Sequence, residues 1–248
     1  MNANGTFCWI ELGTSDAPAA RNFYTQLFAW TVNEIPMGEM GTYYIFQKGG
    51  RDAAAMYQIG PQQAGMPPNW LSYVAVQSAD ESTEKAKNAG GNVVHGPFDV
   101  YDKGRMSLVS DPQGAMFVIW ESKASNGVEV RNEVNTLCWN ELQARDLDAA
   151  KKFYPALFGW TLKDSPEYTE FHLDGKGIGG MIASQAPAQV PSYWLPYFAV
   201  EDCDAAAARI ESLGGRLMMP PMDIPDVGRF TVASDPQGAA FAIIKLTM

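Results

Sequence analysis

The strongest constraint on the fold is that the chain repeats itself. The stretch FCWIELGTSDAPAARNFYTQLFAWTV from Phe7 aligns with LCWNELQARDLDAAKKFYPALFGWTL from Leu137, at an offset of 130 residues. The hexapeptide SDPQGA occurs at Ser110–Ala115 and again at Ser234–Ala239, at an offset of 124 residues. Self-similarity of this length indicates a tandem duplication, and the second copy lacks six residues found in the first.

The repeat predicts the domain organisation of the chain. We expect one copy at 5–122 and the other at 135–248, joined by a polar linker at 123–134. Within each copy, a strand and a helix are followed by several strands, and this order then occurs a second time. The alternation in CWIEL and the cap pattern of Ser78 and Glu81 are typical of a strand and a helix start, respectively. Pro155 should end or kink the third helix.

The repeated SDPQGA segment is predicted to be a hairpin turn. Asp at the first position, Pro at the second and Gly at the fourth suit a type I turn, and strands flank the segment on both sides. A ligand-contacting loop is the alternative interpretation. The turn is favoured, which makes the hexapeptide a mark of architecture and not of chemistry.

Composition and charge narrow the classes of function. The 248 residues carry a net charge of −10 and show no basic cluster, so we expect no nucleic acid and no membrane surface as partner. The N-terminal sequence does not resemble a signal peptide, and no apolar run is long enough for a membrane helix. The three cysteines are predicted to be buried thiols, which suits a cytoplasmic location. There is no nucleophilic triad, phosphate loop or dinucleotide motif.

Four features occurring in order, and twice, resemble one known family. These are two βαβββ units per copy, an FYxxLFGW-like helix end, a helix that stops at Gly-Gly, and a closing SDPxG hairpin. Together they are similar to the vicinal oxygen chelate superfamily, which includes glyoxalase I, bleomycin-resistance proteins and extradiol dioxygenases. The resemblance covers nearly the whole chain. It implies an α+β fold of two tandem domains, each built from two βαβββ units that close into a cup around a small molecule.

The resemblance also implies a test for a metal. Metal-dependent members place His, Gln or Glu on the first and last strands of each unit, where several donors converge on the ion. The matching positions are apolar or aromatic in this chain: Trp9, Leu71 and Val118 in the first copy, and Trp139, Leu195 and Ala242 in the second. We therefore predict no metal ligands and no cofactor, while a divalent metal bound in an unorthodox way stays open.

Strand alternation predicts the side chains that line each cup. The expected catalytic candidates are Glu11 and Glu141, because a carboxylate in an aromatic pocket is disfavoured in its charged form and can act as a base. Pairing with an arginine across the cup is the structural alternative for both. The expected ligand-binding residues are Trp9, Tyr73, Arg105, Met116, Trp120, Trp139, His172, Tyr197 and Arg229.

These residues support two hypotheses of function. The first is a metal-independent protein that binds a small, partly aromatic or apolar molecule in one or both cups, as bleomycin-resistance proteins do. The second is a glyoxalase-like lyase or a hydroxylase-type enzyme with a cup glutamate as base. A third hypothesis makes one copy catalytic and the other structural. Since members of the family often pair, a homodimer is a further expectation.

Overall fold

The computed structural model describes residues 3–63 and 65–247. The first copy contains two βαβββ units, as the repeat predicts. The first unit consists of β1 (Phe7–Thr14), α1 (Ala17–Phe28), β2 (Thr31–Pro36), β3 (Thr42–Lys48) and β4 (Arg51–Gln58). The second consists of β5 (Asn69–Val76), α2 (Ala79–Asn88), β6 (Asn92–Val100), β7 (Gly104–Ser110) and β8 (Met116–Ser122).

The second copy follows the same order with one extra short strand. Its first unit consists of β9 (Leu137–Ala144), α3 (Leu147–Phe158), β10 (Thr161–Asp164), β11 (Thr169–Leu173) and β12 (Lys176–Ala183). Its second unit consists of β13 (Tyr193–Ala199), α4 (Cys203–Ser212), β14 (Arg216–Leu217), β15 (Met222–Ile224), β16 (Gly228–Ser234) and β17 (Ala240–Leu246). The α+β class and the duplicated βαβββ plan are therefore confirmed.

Each copy forms one cup-like sheet. The first has eight strands in the order β2-β3-β4-β1-β5-β8-β7-β6. The second has the order β10-β11-β12-β9-β13-β17-β16-β14, with β15 paired to β16. The registers of the two copies match closely, because Glu11 lies opposite Ala55 on the parallel pair β1 and β4, and Glu141 lies opposite Gly180 on β9 and β12. No helix in the described part of the chain is both long and apolar enough to cross a membrane.

The four helices start at side-chain caps. Asp16, Ser78, Asp146 and Asp202 each accept a hydrogen bond from the backbone N–H three residues later, which satisfies a donor that the first helical turn leaves unpaired. The expectation that Pro155 ends α3 is wrong, since the helix continues to Phe158. The last turn of α3 buries Leu157 and Phe158 in the core, and this burial outweighs the missing proline N–H.

The chain packs into two compact units, here numbered unit 1 and unit 2 and distinct from the βαβββ units, that do not coincide with the two copies. Unit 1 consists of Leu71–Gly127, Trp139–Leu195 and the described residues up to Trp9. Unit 2 consists of Ile10–Trp70, Val128–Cys138 and the described residues from Pro196 onward. Each unit thus combines one half of the first copy with the opposite half of the second.

Each unit has its own aromatic core. The core of unit 1 lies around α2 and α3 and includes Phe117, Phe153, Tyr154, Trp160 and Trp194. The core of unit 2 lies around α1 and α4 and includes Phe23, Tyr24, Trp70, Phe198 and Phe241. Burial of apolar surface is the main driving force for folding, and aromatic side chains bury the largest area per residue.

The SDPQGA turn of the first copy is fastened to the core of unit 1. The N–H of Gly114 donates to the carbonyl of Asp111 at 3.1 Å, which confirms the hairpin turn between β7 and β8. The Asp111 carboxylate accepts backbone hydrogen bonds from Gln113 and Ala115, and a third from the hydroxyl of Tyr154 at 3.1 Å. That hydroxyl in turn accepts from Nε1 of Trp194 at 3.1 Å. Burial raises the pKa of Asp111.

Unit 2 contains the equivalent network, in which the aspartate comes from the second copy and the tyrosine and tryptophan come from the first. Asp235 belongs to the second SDPQGA turn and accepts from the hydroxyl of Tyr24 at 3.0 Å. Nε1 of Trp70 donates to the same hydroxyl at 3.0 Å. The repeated hexapeptide is therefore a turn whose aspartate binds a tyrosine of the other copy, and the FY pair in each first helix supplies that tyrosine.

Candidate functional site

A buried glutamate on the first strand of the second copy is the centre of a polar network in unit 1. Alternation along β9 places Trp139, Glu141 and Gln143 on the same side. Glu141 is 8% exposed and accepts from Nε2 of Gln143 at 2.6 Å. The hydroxyl of Tyr168 is hydrogen-bonded to Glu141 and accepts from Nε1 of Trp139 at 2.8 Å. The network joins a carboxylate, a phenol and an indole.

The charge of Glu141 acts on the tyrosines around it. Burial is the main cause that raises the pKa of Tyr168, and the nearby Glu141 carboxylate raises it further. The pKa of Tyr193 is raised by the same two causes in the same order. Both phenols therefore stay neutral at physiological pH and can serve as hydrogen-bond donors.

The first copy has the same glutamate–tyrosine pair, located in unit 2. The hydroxyl of Tyr43 donates to Oε2 of Glu11 at 2.6 Å. Burial raises the pKa of Tyr57, and the charge of Glu11 adds to that rise. The surroundings of the carboxylate thus again consist of phenols.

The sheet registers show that Tyr43 and Tyr168 occupy equivalent positions. In the first copy, Glu11 pairs with Ala55 and Ala55 pairs with Ile45, two residues after Tyr43. In the second copy, Glu141 pairs with Gly180 and Gly180 pairs with Glu170, two residues after Tyr168. Sequence analysis missed both tyrosines, although a shared Y-x-x-F pattern ends at Phe46 and Phe171.

Four of the predicted ligand-binding residues come together in an apolar cluster of unit 1. Trp9, Tyr73, Met116 and Trp120 pack with Met106 and further apolar side chains of the same sheet. The ring centroids of Tyr73 and Trp120 are 6.0 Å apart, and the ring planes are inclined at 62° in an edge-to-face arrangement. In unit 2, the ring of Tyr197 stacks on that of Phe230 at 6.2 Å. Aromatic faces are therefore present in both copies.

The predicted orientation of Arg105 and Arg229 is wrong. The guanidinium of Arg105 binds Asp80 at the start of α2, at 2.7 Å and 2.9 Å. Arg229 binds Asp204 at the start of α4 with the same two distances. These bonds raise the pKa of each arginine and lower that of each aspartate.

The reason is that alternation defines two faces of a strand but does not say which face meets the helix. Met106 packs in the apolar cluster with Tyr73, and Phe230 stacks on Tyr197. The arginine before each of them consequently lies on the opposite face, where a helix begins with an aspartate. The residues facing Tyr73 and Tyr197 on these strands are therefore apolar and not cationic.

His172 lies on β11, beside the Glu141 network. Its Nε2 is 2.8 Å from Oε2 of Glu170. The other carboxylate oxygen, Oε1, accepts from Nζ of Lys163 at 3.2 Å. The hydrogen bond from His172 is the main cause that lowers the pKa of Glu170. The other histidine, His95, is exposed and belongs to β6.

The repeat and the two cup-like sheets agree with comparisons with known proteins. The chain matches the sequence profile of the Glyoxalase/Bleomycin resistance protein/Dioxygenase superfamily at residues 6–119 and again at 134–243. It therefore belongs to this superfamily, with two tandem domains of its type.

Individual relatives cover almost the full length. A protein of Mycobacterium bovis, provisionally named a glyoxylase, CFP32, is 40% identical over 97% of this chain and 95% of its own. The anthracycline biosynthesis protein DnrV of Streptomyces peucetius is 34% identical over 98% of this chain and 94% of its own. The fold is shared with the Mn(II)-bound glyoxalase of Novosphingobium aromaticivorans, with a TM-score of 0.67 at 14% identity, covering 99% of this chain and 83% of that one.

The residues at the family's metal positions do not fit a divalent ion. Trp9, Leu71 and Val118 all belong to the apolar cluster of unit 1, and none has a donor atom of the kind that such ions bind. In the second copy, Leu195 and Ala242 are buried and equally without donors. Across residues 3–63 and 65–247, no three His, Cys, Asp or Glu side chains form a group that could hold a metal ion.

Proposed function

We propose that the protein binds a small, partly aromatic or apolar molecule in one or both of its copies. The observation that supports this most directly is the hydrogen-bonded glutamate–tyrosine pair that both copies keep. The glutamate lies on the first strand of its copy, and the tyrosine lies on β3 in the first copy and directly before β11 in the second. Aromatic rings offer stacking surface, and a few fixed polar groups orient what is stacked. The tyrosine hydroxyl, held by its glutamate, is such a polar group.

The names of the relatives agree with this ligand class. DnrV is named for anthracycline biosynthesis, and anthracyclines are polycyclic aromatic compounds. The same compound need not be the ligand of this chain. We propose only the shared chemistry, which is a flat apolar ring system that carries hydrogen-bonding substituents.

Calorimetric titration with 1-naphthol tests the proposal. We expect saturable binding to the wild type and about tenfold weaker binding to Tyr168→Phe, because a hydrogen bond to a polar partner contributes roughly 1–1.5 kcal/mol. Tyr101→Phe is the matched control, since Tyr101 is 63% exposed. Absence of saturable binding to the wild type contradicts the proposal, and so does full affinity in both Tyr168→Phe and Tyr43→Phe, the equivalent variant of the first copy.

A second candidate function is proton transfer by a cup glutamate, in a glyoxalase-like lyase or a hydroxylase-type enzyme. It is favoured by the position of Glu141, which is 8% exposed and is hydrogen-bonded to Gln143 and Tyr168, because a general base has to be held in place. The provisional name of CFP32 points to the same reaction class.

Two substitutions separate the enzyme from the binder. With a hemithioacetal of an α-ketoaldehyde as substrate, Glu141→Gln or Glu11→Gln should abolish turnover by whichever copy is active and leave 1-naphthol affinity within a few-fold. Should both variants turn the substrate over at the wild-type rate, neither glutamate is the base. A binder shows no turnover in any variant.

A further inference from the structure

The two copies differ at three matched positions next to the glutamate–tyrosine pair. Gln47 lies opposite Asp52 in the first copy, and His172 lies opposite Gly177 in the second. Both strands shift register immediately before this pair, which fixes the equivalence. The third difference is Glu170, which stands where the first copy has Ile45.

In the first copy, side chains of the protein itself occupy the space around the pair Gln47 and Asp52, which is called the corner below. Nε2 of Gln47 donates to Oδ1 of Asp52 at 2.7 Å. The backbone N–H of Asp52 donates to Oε2 of Glu129 at 3.0 Å, and its carbonyl accepts from the N–H of Glu129 at 2.7 Å. The linker residue Glu129 thus binds this end of the hairpin from two sides.

In the second copy the corner has no side chain of its own, because position 177 is glycine. A Cβ atom there would lie 3.3 Å from Cη2 of Trp139 and 3.4 Å from Oε2 of Glu170. The edge of the indole and the carboxylate therefore meet above Gly177. Glu170 holds Nε2 of His172 at 2.8 Å, and the side chain of His172 is 17% exposed.

The bond to Glu170 determines what the imidazole can offer. When Nε2–H donates to the carboxylate, the neutral ring has its acceptor at Nδ1. That nitrogen makes no hydrogen bond within the described residues. The carboxylate that holds this ring meets the edge of Trp139 above Gly177. An acceptor on the ring therefore suits a ligand that lies against Trp139 and carries an O–H or N–H donor on an aromatic ring.

We propose that Glu170 and His172 are the specificity-determining pair of the second copy and that they recognise the hydroxyl group of a hydroxylated aromatic ligand lying against Trp139. The inference rests on the proposed ligand-binding function and goes further by naming the copy, the contact and the substituent. The first copy has Ile45 and Gln47 at these positions, so it does not share the preference.

The two histidines of the chain make a direct test possible. In protein labelled only at histidine, imidazole resonances arise from His95 and His172 and are assigned with His95→Gln and His172→Gln. Saturating 1-naphthol should shift the ring signals of His172 and leave those of His95 in place. The shift itself is read from the wild type, and one folded variant of the two is enough to assign both sets of signals.

Calorimetry supplies the second measurement. His172→Gln and Glu170→Ile introduce the residues of the first copy, and each should weaken 1-naphthol binding at least fivefold. Binding of 1-methoxynaphthalene, which has no O–H donor, should change less than twofold in both variants. Gln47→Ala is the matched control in the first copy and should leave the affinity for 1-naphthol unchanged.

The outcomes distinguish the two proposals. Saturable binding without a shift of His172, or with full affinity in both variants, overturns the role of the pair and leaves the binding function standing. A wild type that binds 1-naphthol not at all overturns both. Tighter binding of 1-naphthylamine than of 1-naphthol, lost in His172→Gln, replaces the hydroxyl with an amine and overturns that part of the assignment.

Discussion

Replacing Tyr154 with phenylalanine removes a single oxygen from the core of unit 1 and disturbs two hydrogen bonds. The first is donated to the Asp111 carboxylate and is worth about 1.5–3 kcal/mol, since its acceptor is charged. The second comes from Nε1 of Trp194, whose buried N–H then has lost its acceptor at a cost of about 1–3 kcal/mol. We expect a loss of roughly 3 kcal/mol in the free energy of unfolding, or about 6–12 °C in Tm.

Urea unfolding followed by circular dichroism measures this loss. Trp194→Phe should cost less in the Tyr154→Phe background than in the wild type, because the unpaired N–H disappears, and a coupling of about 1–2 kcal/mol is expected. Tyr101→Phe, at an exposed position, is the control. A loss below about 0.5 kcal/mol with no coupling would refute the role assigned to the network.

The same variant has a pH dependence with a definite sign. Burial raises the pKa of Asp111, and the hydroxyl of Tyr154 opposes that rise. The pKa of Asp111 is therefore higher still in Tyr154→Phe. A raised carboxyl pKa contributes stability that is present below its ordinary value of about 4 and is lost as the pH rises through the folded-state value. The deficit of Tyr154→Phe should thus be larger at pH 7 than at pH 4, and a deficit that shrinks with rising pH contradicts this cause.

Two further predictions concern close packing and thiol reactivity. Gly91→Ala places a Cβ 2.7 Å from a backbone carbonyl oxygen and should lower the free energy of unfolding, measured by urea titration, by about 1–3 kcal/mol. The control Gly60→Ala, which has open space around it, should change this free energy by less than about 0.5 kcal/mol. Equal losses in the two variants would show that the backbone around Gly91 moves to make room for the Cβ. Cys8 and Cys203 are buried and Cys138 is half-buried, and burial raises the pKa of Cys138 to about 12 and that of Cys203 to about 11. A thiol reagent at pH 8 should therefore react with the native protein far more slowly than with the unfolded chain, and rapid modification of native Cys8 or Cys203 would contradict their burial.

Much of the fold follows from local patterns in the sequence. The cap at Ser78 and the alternation around Trp9 and Glu11 depend on neighbours along the chain, and such neighbours are visible in a sequence. The repeat then confirms each pattern a second time. The turn at Asp111 was predicted for the same reason.

The parts that were missed depend on partners far away in the chain. Arg105 lies on the face of β7 where it can bind Asp80, which is 25 residues earlier in the chain. The same spacing separates Asp204 from Arg229. That repeated spacing was the available signal. Tyr168 escaped notice because the second copy has lost six residues in this region, so it no longer aligns with Tyr43 at a constant offset.

The composition of the two units constrains how this chain can change during evolution. A substitution that enlarges a side chain of α1 has to be accommodated by α4, which lies in the other copy, and not by α2 in its own. Compensating changes should therefore pair the first half of one copy with the second half of the other. Deleting either copy would remove half of each core, so neither copy should fold without the other.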